Sequence, residues 1–169
     1  GGSAGRHVDG AQAAAAALNP RGAGNGAQGV HMSGSVLTFW FEEITPRQWW
    51  ASDPDFDALV RQRFNGLLEQ AALGELFGWR TSALGRLAEV IVLDQFSRNI
   101  HRGTPSAFAQ DPMALALAQE AVAAGALAKL EPVQRNFLLL PYMHSESRRI
   151  HVQAERLYAE HAPPENHDF

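Results

Sequence analysis

The sequence contains no cysteine, so it holds no disulfide framework and suits a compartment where none is needed. Positive charge is not in excess either. Fourteen Lys and Arg against 18 Asp and Glu give a formal charge of −4, which speaks against a nucleic-acid binder. No apolar run approaches the roughly 20 residues that a membrane-spanning helix needs, and no positively charged segment leads into an apolar one as an export signal would. The body of the chain has no phosphate-binding loop and no dinucleotide glycine fingerprint, and strand-like alternation is missing throughout. These absences lead to an expected cytoplasmic, soluble protein with no cofactor, no nucleic-acid partner and no membrane partner.

What is present divides near residue 32. Of the 15 glycines, 8 fall within residues 1–29, beside an alanine run at residues 13–17 and only Arg6, Asp9 and Arg21 as charges. Such a segment has too little apolar variety to bury a core, so residues 1–31 are expected to be a disordered or non-native extension. Residues 32–169 are expected to form a single helical domain. A first helix is predicted over residues 36–43, with Val36, Phe39 and Trp40 on one face. Ser52-Asp53-Pro54 is a helix start, followed by Phe56, Leu59, Val60, Phe64, Leu67, Leu68 and Ala71 in an i, i+3, i+4, i+7 stripe that ends near Gly74. A third helix, capped by Thr81 or Ser82, runs to about Asn99. After the break at Gly103-Thr104-Pro105, a fourth runs from Asp111-Pro112 to Gly125. A fifth starts at Glu131-Pro132 and is interrupted or ended by Pro141. The last covers residues 147–161. Helices of about 8 to 20 residues on short links pack as antiparallel hairpins, so the predicted fold is all-α, an irregular stack of antiparallel helical hairpins.

Two polar clusters break the apolar pattern. Residues 93–102 set Asp94, Gln95, Arg98, Asn99 and Arg102 at the end of an otherwise apolar helix. At 100° per residue, Leu84, Leu87, Ile91, Asp94, Gln95 and Arg98 share one face, and burying such charges is costly unless they are paired. Asp94 and Arg98, spaced i, i+4, are an expected ion pair. The second cluster is His144-Ser145-Glu146, directly after the apolar residues 137–140 and Pro141, where a bend would aim His144 and Glu146 into a space between helices. The two clusters are expected to face each other across one cavity. His144 is a candidate general base or acid, with Glu146 or Asp94 orienting its ring; a structural histidine is the commoner role beside an apolar segment.

Sharper chemistries find little support. His144-Ser145-Glu146 has the side-chain types of a hydrolase triad, but sequence neighbours rarely converge in relay geometry and no nucleophile-elbow glycines flank Ser145. His144-x-Glu146 matches half of the zinc deaminase signature, without the paired cysteines. His144, Glu146 and His151 are spaced irregularly for three ligands on one helix face, so no metal site is assigned. Phe39, Trp40, Phe41, Trp49 and Trp50 can be read as a ligand slot or as core, core being the commoner role and Trp49 or Trp50 the better pocket candidates. Arg148, Arg149, His151 and Arg156 form a local basic face that could recognise an anion or be merely solvated.

Taken in order, Phe39-Trp40-Phe41, Trp50-x-x-Asp53-x-x-Phe56-Asp57, Leu93-Asp94-Gln95-Phe96-x-Arg98-Asn99, Arg102-Gly103-Thr104-x-x-Ala107-Phe108-Ala109-x-Asp111 and Leu140-Pro141-Tyr142-Met143-His144-Ser145-Glu146 resemble the bacterial family catalogued as domain of unknown function 924. The resemblance covers about residues 36–158. It implies an all-helical, tetratricopeptide-like fold and a family without an assigned activity. It also implies a C-terminal segment, rich in arginine and phenylalanine and ending in a His-Arg-Asn motif, that is not found after Asn166-His167-Asp168-Phe169; the expected domain is therefore C-terminally truncated.

The expected function is binding of a small anionic or polar ligand, or a peptide end, in a pocket formed by Asp94, Gln95, Arg98, Asn99, Arg102, His144, Ser145 and Glu146. Arg98 and Arg102 would receive the anion, and Asp94 and Glu146 would orient the arginines and His144. The catalytic alternative is a hydrolase using His144 as general base, with Glu146 and Asp94 as further candidates. A protein-interaction module using the concave face of a helical stack is the third reading.

Overall fold

The computed structural model describes residues 25–161, with side chains from Met32 onward. The expectation for residues 1–31 falls outside the described residues up to residue 24; residues 25–31 form the start of a helix. All regular structure among the described residues is helical, as predicted. The α-helices are α1 (Asn25–Thr38), α2 (Pro46–Trp50), α3 (Pro54–Ala72), α4 (Ala83–Ile91), α5 (Ser97–Ile100), α6 (Asp111–Ala123), α7 (Pro132–His144) and α8 (Arg148–His161).

Local chemistry sets most of these boundaries. Asp53 Oδ1 accepts from the backbone N–H of Asp55 at 3.0 Å and of Phe56 at 3.3 Å, ahead of Pro54, whose missing N–H costs nothing at a helix start. Ser82, rather than Thr81, caps α4 by accepting from Gly85 N at 3.0 Å. The short α2 was not anticipated; Pro46 opens it, and Gln48 Oε1 accepts from Thr45 N at 2.8 Å.

The structure departs from the predicted helices at three places. First, residues 36–43 are not one α-helix: α1 passes at Phe39 into a π-helical turn, Phe39–Glu43, closed by Ile44 N on Phe39 O at 3.2 Å. Second, the predicted helix ending near Asn99 contains another π turn, Val92–Phe96, with Ser97 N bonded to Val92 O. Each adds a residue to its turn, so the 100° count fails beyond it. Third, α7 runs through Pro141 to His144. Only one backbone donor is lost there, and the buried packing of residues 137–142 holds the segment in register.

α4, the π turn and α5 form a central rod that touches α1, α3, α6 and α7. Every residue from 87 to 97 is buried, the pattern of a helix with neighbours on all sides rather than one inward stripe. Leu84, expected on that stripe, is instead exposed near the rod's start. Phe39, Phe64 and Phe96 pack against one another, with ring centroids 4.6 Å apart for Phe64 and Phe96 and 5.0 Å for Phe39 and Phe64. Trp40, Phe41, Trp49 and Trp50 all pack on Phe137, and Trp49 Nε1 donates to Trp40 O at 2.9 Å. Those aromatics fill the core around α7, as the commoner reading had it, and Trp50 alone of the set is half exposed.

Two glycines make a matched test of this packing. A Cβ on Gly85 would sit 2.0 Å from the Trp79 carbonyl oxygen, because the turn before α4 presses against its first turn. A Cβ on Gly66, inside α3, meets nothing within 4 Å. Gly85→Ala is therefore expected to destabilise by at least about 1–3 kcal/mol, and Gly66→Ala to stabilise by about 0.5–1 kcal/mol. Urea denaturation of the two variants checks both signs.

Candidate functional site

The site is built on the π turn of the central rod. Asp94 lies within that turn at 0% exposure, where an ionised carboxylate must be met by donors. Three side chains converge on it. Gln95 Nε2 donates to Oδ2 at 2.7 Å, Arg98 Nη1 to Oδ1 at 3.2 Å, and His144 Nδ1 lies 2.7 Å from the same Oδ1. Arg98 Nη1 also donates to the Asp94 carbonyl at 2.9 Å. The first predicted cluster and the histidine of the second thus meet at one oxygen, 50 residues apart in sequence.

Arg98 is held more firmly from the other side. Its Nη1 and Nη2 donate to Asp111 Oδ1 and Oδ2 at 2.8 and 2.9 Å, a two-pronged fork. Asp111 opens α6, where a negative charge also suits the helix N-terminus. The guanidinium carbon stands 5.3 Å from the centre of the exposed Phe108 ring.

Asn99 and Arg102 are not part of this network, contrary to the single predicted pocket. Asn99 Nδ2 donates to Asp57 Oδ1 at 2.8 Å, and Arg102 Nε and Nη2 donate to Asp57 Oδ2 and Oδ1 at 2.7 and 3.2 Å. Asp57 is buried on α3, and its carboxylate raises the Arg102 pKa through hydrogen bonding and charge, against an opposing effect of burial. The reason for the division is geometric: past the π turn, α5 packs on α3 and presents Asn99 there, whereas Asp94 meets α7 through His144. Arg61 completes this second side by donating to the Ile100 carbonyl at 2.7 Å.

Ser145 and Glu146 also lie apart from the carboxylate network. Ser145 Oγ accepts from Ser147 N at 3.1 Å and its carbonyl is bonded by His151 Nε2, so the residue builds the turn between α7 and α8. Glu146 is exposed, and it is Asp94 that touches both Arg98 and His144. Asp57 and Asp111 were missed as site residues. The sequence carries a signal for Asp57, an acid at i, i+3, i+7 with the buried Val60 and Phe64; Asp111 presents itself there only as a helix start.

Chemically, the arrangement fixes an imidazole by one nitrogen. A carboxylate only accepts, so Nδ1 carries the proton in this contact, and the neutral ring has its lone pair on Nε2. The His144 side chain is 25% exposed while that of Asp94 is 1% exposed. Tyr158 lies nearby with its hydroxyl donating to Asn136 O at 3.0 Å, and burial followed by the Asp94 charge pushes its pKa well up. Among the described residues, no group of three or more His, Cys, Asp or Glu side chains could hold a metal ion, and no helix is long and apolar enough to cross a membrane.

An all-helical protein with this carboxylate network matches, over residues 36–168, the family described as bacterial protein of unknown function, DUF924. The chain belongs to that family. Its structure is similar to that of a protein of unknown function from Agrobacterium tumefaciens, with 31% sequence identity, a TM-score of 0.75, and 82% of each chain covered. Curated proteins yield no match.

Two stability experiments follow from these contacts. Asp94→Ala is expected to cost roughly 3–5 kcal/mol. Adding Arg98→Met should not restore that loss, because Gln95 and His144 still lose their acceptor; recovery in the double variant, measured by urea denaturation, would show that Asp94 serves Arg98 alone. Tyr158 and Tyr142 both have raised pKa values from burial. In the unfolded chain such tyrosines ionise near pH 10, so above that pH the unfolded state binds fewer protons and stability is expected to fall as pH rises. Tyr158→Phe should flatten that fall, as read from melting temperatures between pH 8 and 11.

Proposed function

We propose that the protein binds a small polar or anionic ligand, a peptide carboxylate included, at the Asp94–His144 pair, with His144 Nε2 as the contacting atom. One observation carries this reading: a buried carboxylate fixes Nδ1 at 2.7 Å while a quarter of the histidine side chain stays exposed. A surface histidine has no need of such an anchor, and orienting a ring through its far nitrogen is how a binding or reacting imidazole is aimed. Arg98 and Arg102 are not the anion receptors in this reading, since each guanidinium already bridges a carboxylate. The anion contact falls to His144. With its second proton, Asp94, Asp111, Arg98 and His144 sum to zero charge; without it they sum to −1, which repels an anion.

The same orientation favours a second reading, a hydrolase in which the neutral ring's Nε2 accepts a proton from water as general base and Asp94 steadies the resulting imidazolium. Ser145 has no role as nucleophile there, its hydroxyl being bonded within its own turn.

A thermal-shift screen of carboxylate and phosphate compounds tests the binding reading. A hit is expected to lose affinity by about tenfold or more in His144→Ala and to weaken in Asp94→Asn. Unchanged affinity in His144→Ala overturns the reading. Turnover of chromogenic esters that vanishes in His144→Ala would instead select the hydrolase.

A further inference from the structure

The basic residues of α8 are left unused by the Asp94–His144 site. Helix α8 buries Ala154, Leu157 and Tyr158; its opposite side carries Arg148, Arg149, Val152 and Arg156, all exposed. At 100° per residue these four fall within an arc of about 100° over the first two and a half turns. None of the three guanidiniums is paired among the described residues, in contrast to Arg63, Arg80, Arg98 and Arg102, which each meet a carboxylate. Val152, 67% exposed, sits in their midst. Glu155 and Glu160 border the arc without an ion pair to any of the three arginines.

We infer that this face of α8 is a docking surface for an acidic amphipathic helix of a partner protein. Arg149 and Arg156 are two turns apart, about 10 Å along the axis, the spacing at which a partner helix presents carboxylates at i and i+7. Its intervening apolar residue would then cover Val152, giving the surface one hydrophobic contact ringed by charge-assisted pairs. Val152 distinguishes this partner from a phosphodiester backbone, which gains nothing from an apolar side chain at the centre of its contact, and a lipid surface calls for an apolar helix face wider than one valine. The formal charge of −4 for the whole chain also opposes a long polyanion, whose charges extend past the patch, whereas a short acidic helix feels mainly charges within a Debye length of about 8 Å.

The test is a titration of the full chain, followed by amide resonances, with a synthetic amphipathic peptide that places glutamates at i and i+7 around a leucine. Shifts are expected to cluster on Arg148, Arg149, Val152 and Arg156. Charge reversal in Arg149→Glu/Arg156→Glu should weaken binding by about tenfold or more, and Val152→Ser should weaken it with every charge kept. The docking surface is refuted by an absence of shifts on α8, by unchanged affinity in either variant, or by tighter binding of a single-stranded oligonucleotide or of phosphatidylserine vesicles than of the peptide. All of these positions are exposed and lie outside the carboxylate network, so the outcome is independent of any ligand at His144.

Discussion

The buried carboxylate of Asp94 is the constraint around which the centre of this protein is arranged. Removing an ionised carboxylate from water is costly by several kcal/mol even after relaxation, and at 0% exposure Asp94 has no solvent to offset it. Its donors come from the rod itself, through Gln95 and Arg98, and from α7, through His144. Each donor is thereby fixed in turn. The ion that is hardest to bury dictates which elements stand together, and the apolar packing of Phe39, Phe64, Phe96 and Phe137 fills the space this leaves.

A single acid cannot serve every polar group on the rod, and the structure provides others. Asp57 on α3 takes Asn99 and Arg102, and Asp111 on α6 takes both prongs of Arg98. Glu89, 2% exposed on α4, meets Arg80 Nε at 2.7 Å. Around the rod, buried or half-buried acids therefore outnumber pairs that a local spacing rule would find. Only Asp94 and Arg98 are at i, i+4; the partners of Asp57 lie 42 and 45 residues away.

That distribution explains what could be read from the chain. The starts of α3, α6 and α7 were legible in Asp53-Pro54, Asp111-Pro112 and Glu131-Pro132, where a preset φ and a missing N–H leave little choice. The Asp94–Arg98 pair was legible in its spacing, and the order of motifs identified the family. Asn99 and Arg102 sit with Asp94 in one polar run of the sequence, but the structure bonds them to Asp57 on α3 instead, past a π turn at residues 92–96 that an α-helical period does not foresee. Pro141 looked like a helix end from sequence, yet its effect is decided by the burial of its neighbours, a tertiary matter. Asp57 stood in plain view within an apolar stripe; what the sequence could not supply was the opposite wall.

The shared guanidinium has a mechanical consequence. Arg98 joins the first residue of α6 to the carboxylate oxygen that holds His144, so the histidine's setting depends on a helix that is not among its own bonded partners. With α6 seated, Asp111 draws the guanidinium outward and leaves His144 the shorter contact to Oδ1. Arg98 and the imidazole share that one oxygen, at 3.2 and 2.7 Å. Asp111, Arg98, Asp94 and His144 thus form one continuous line of contacts from α6 through the rod to α7.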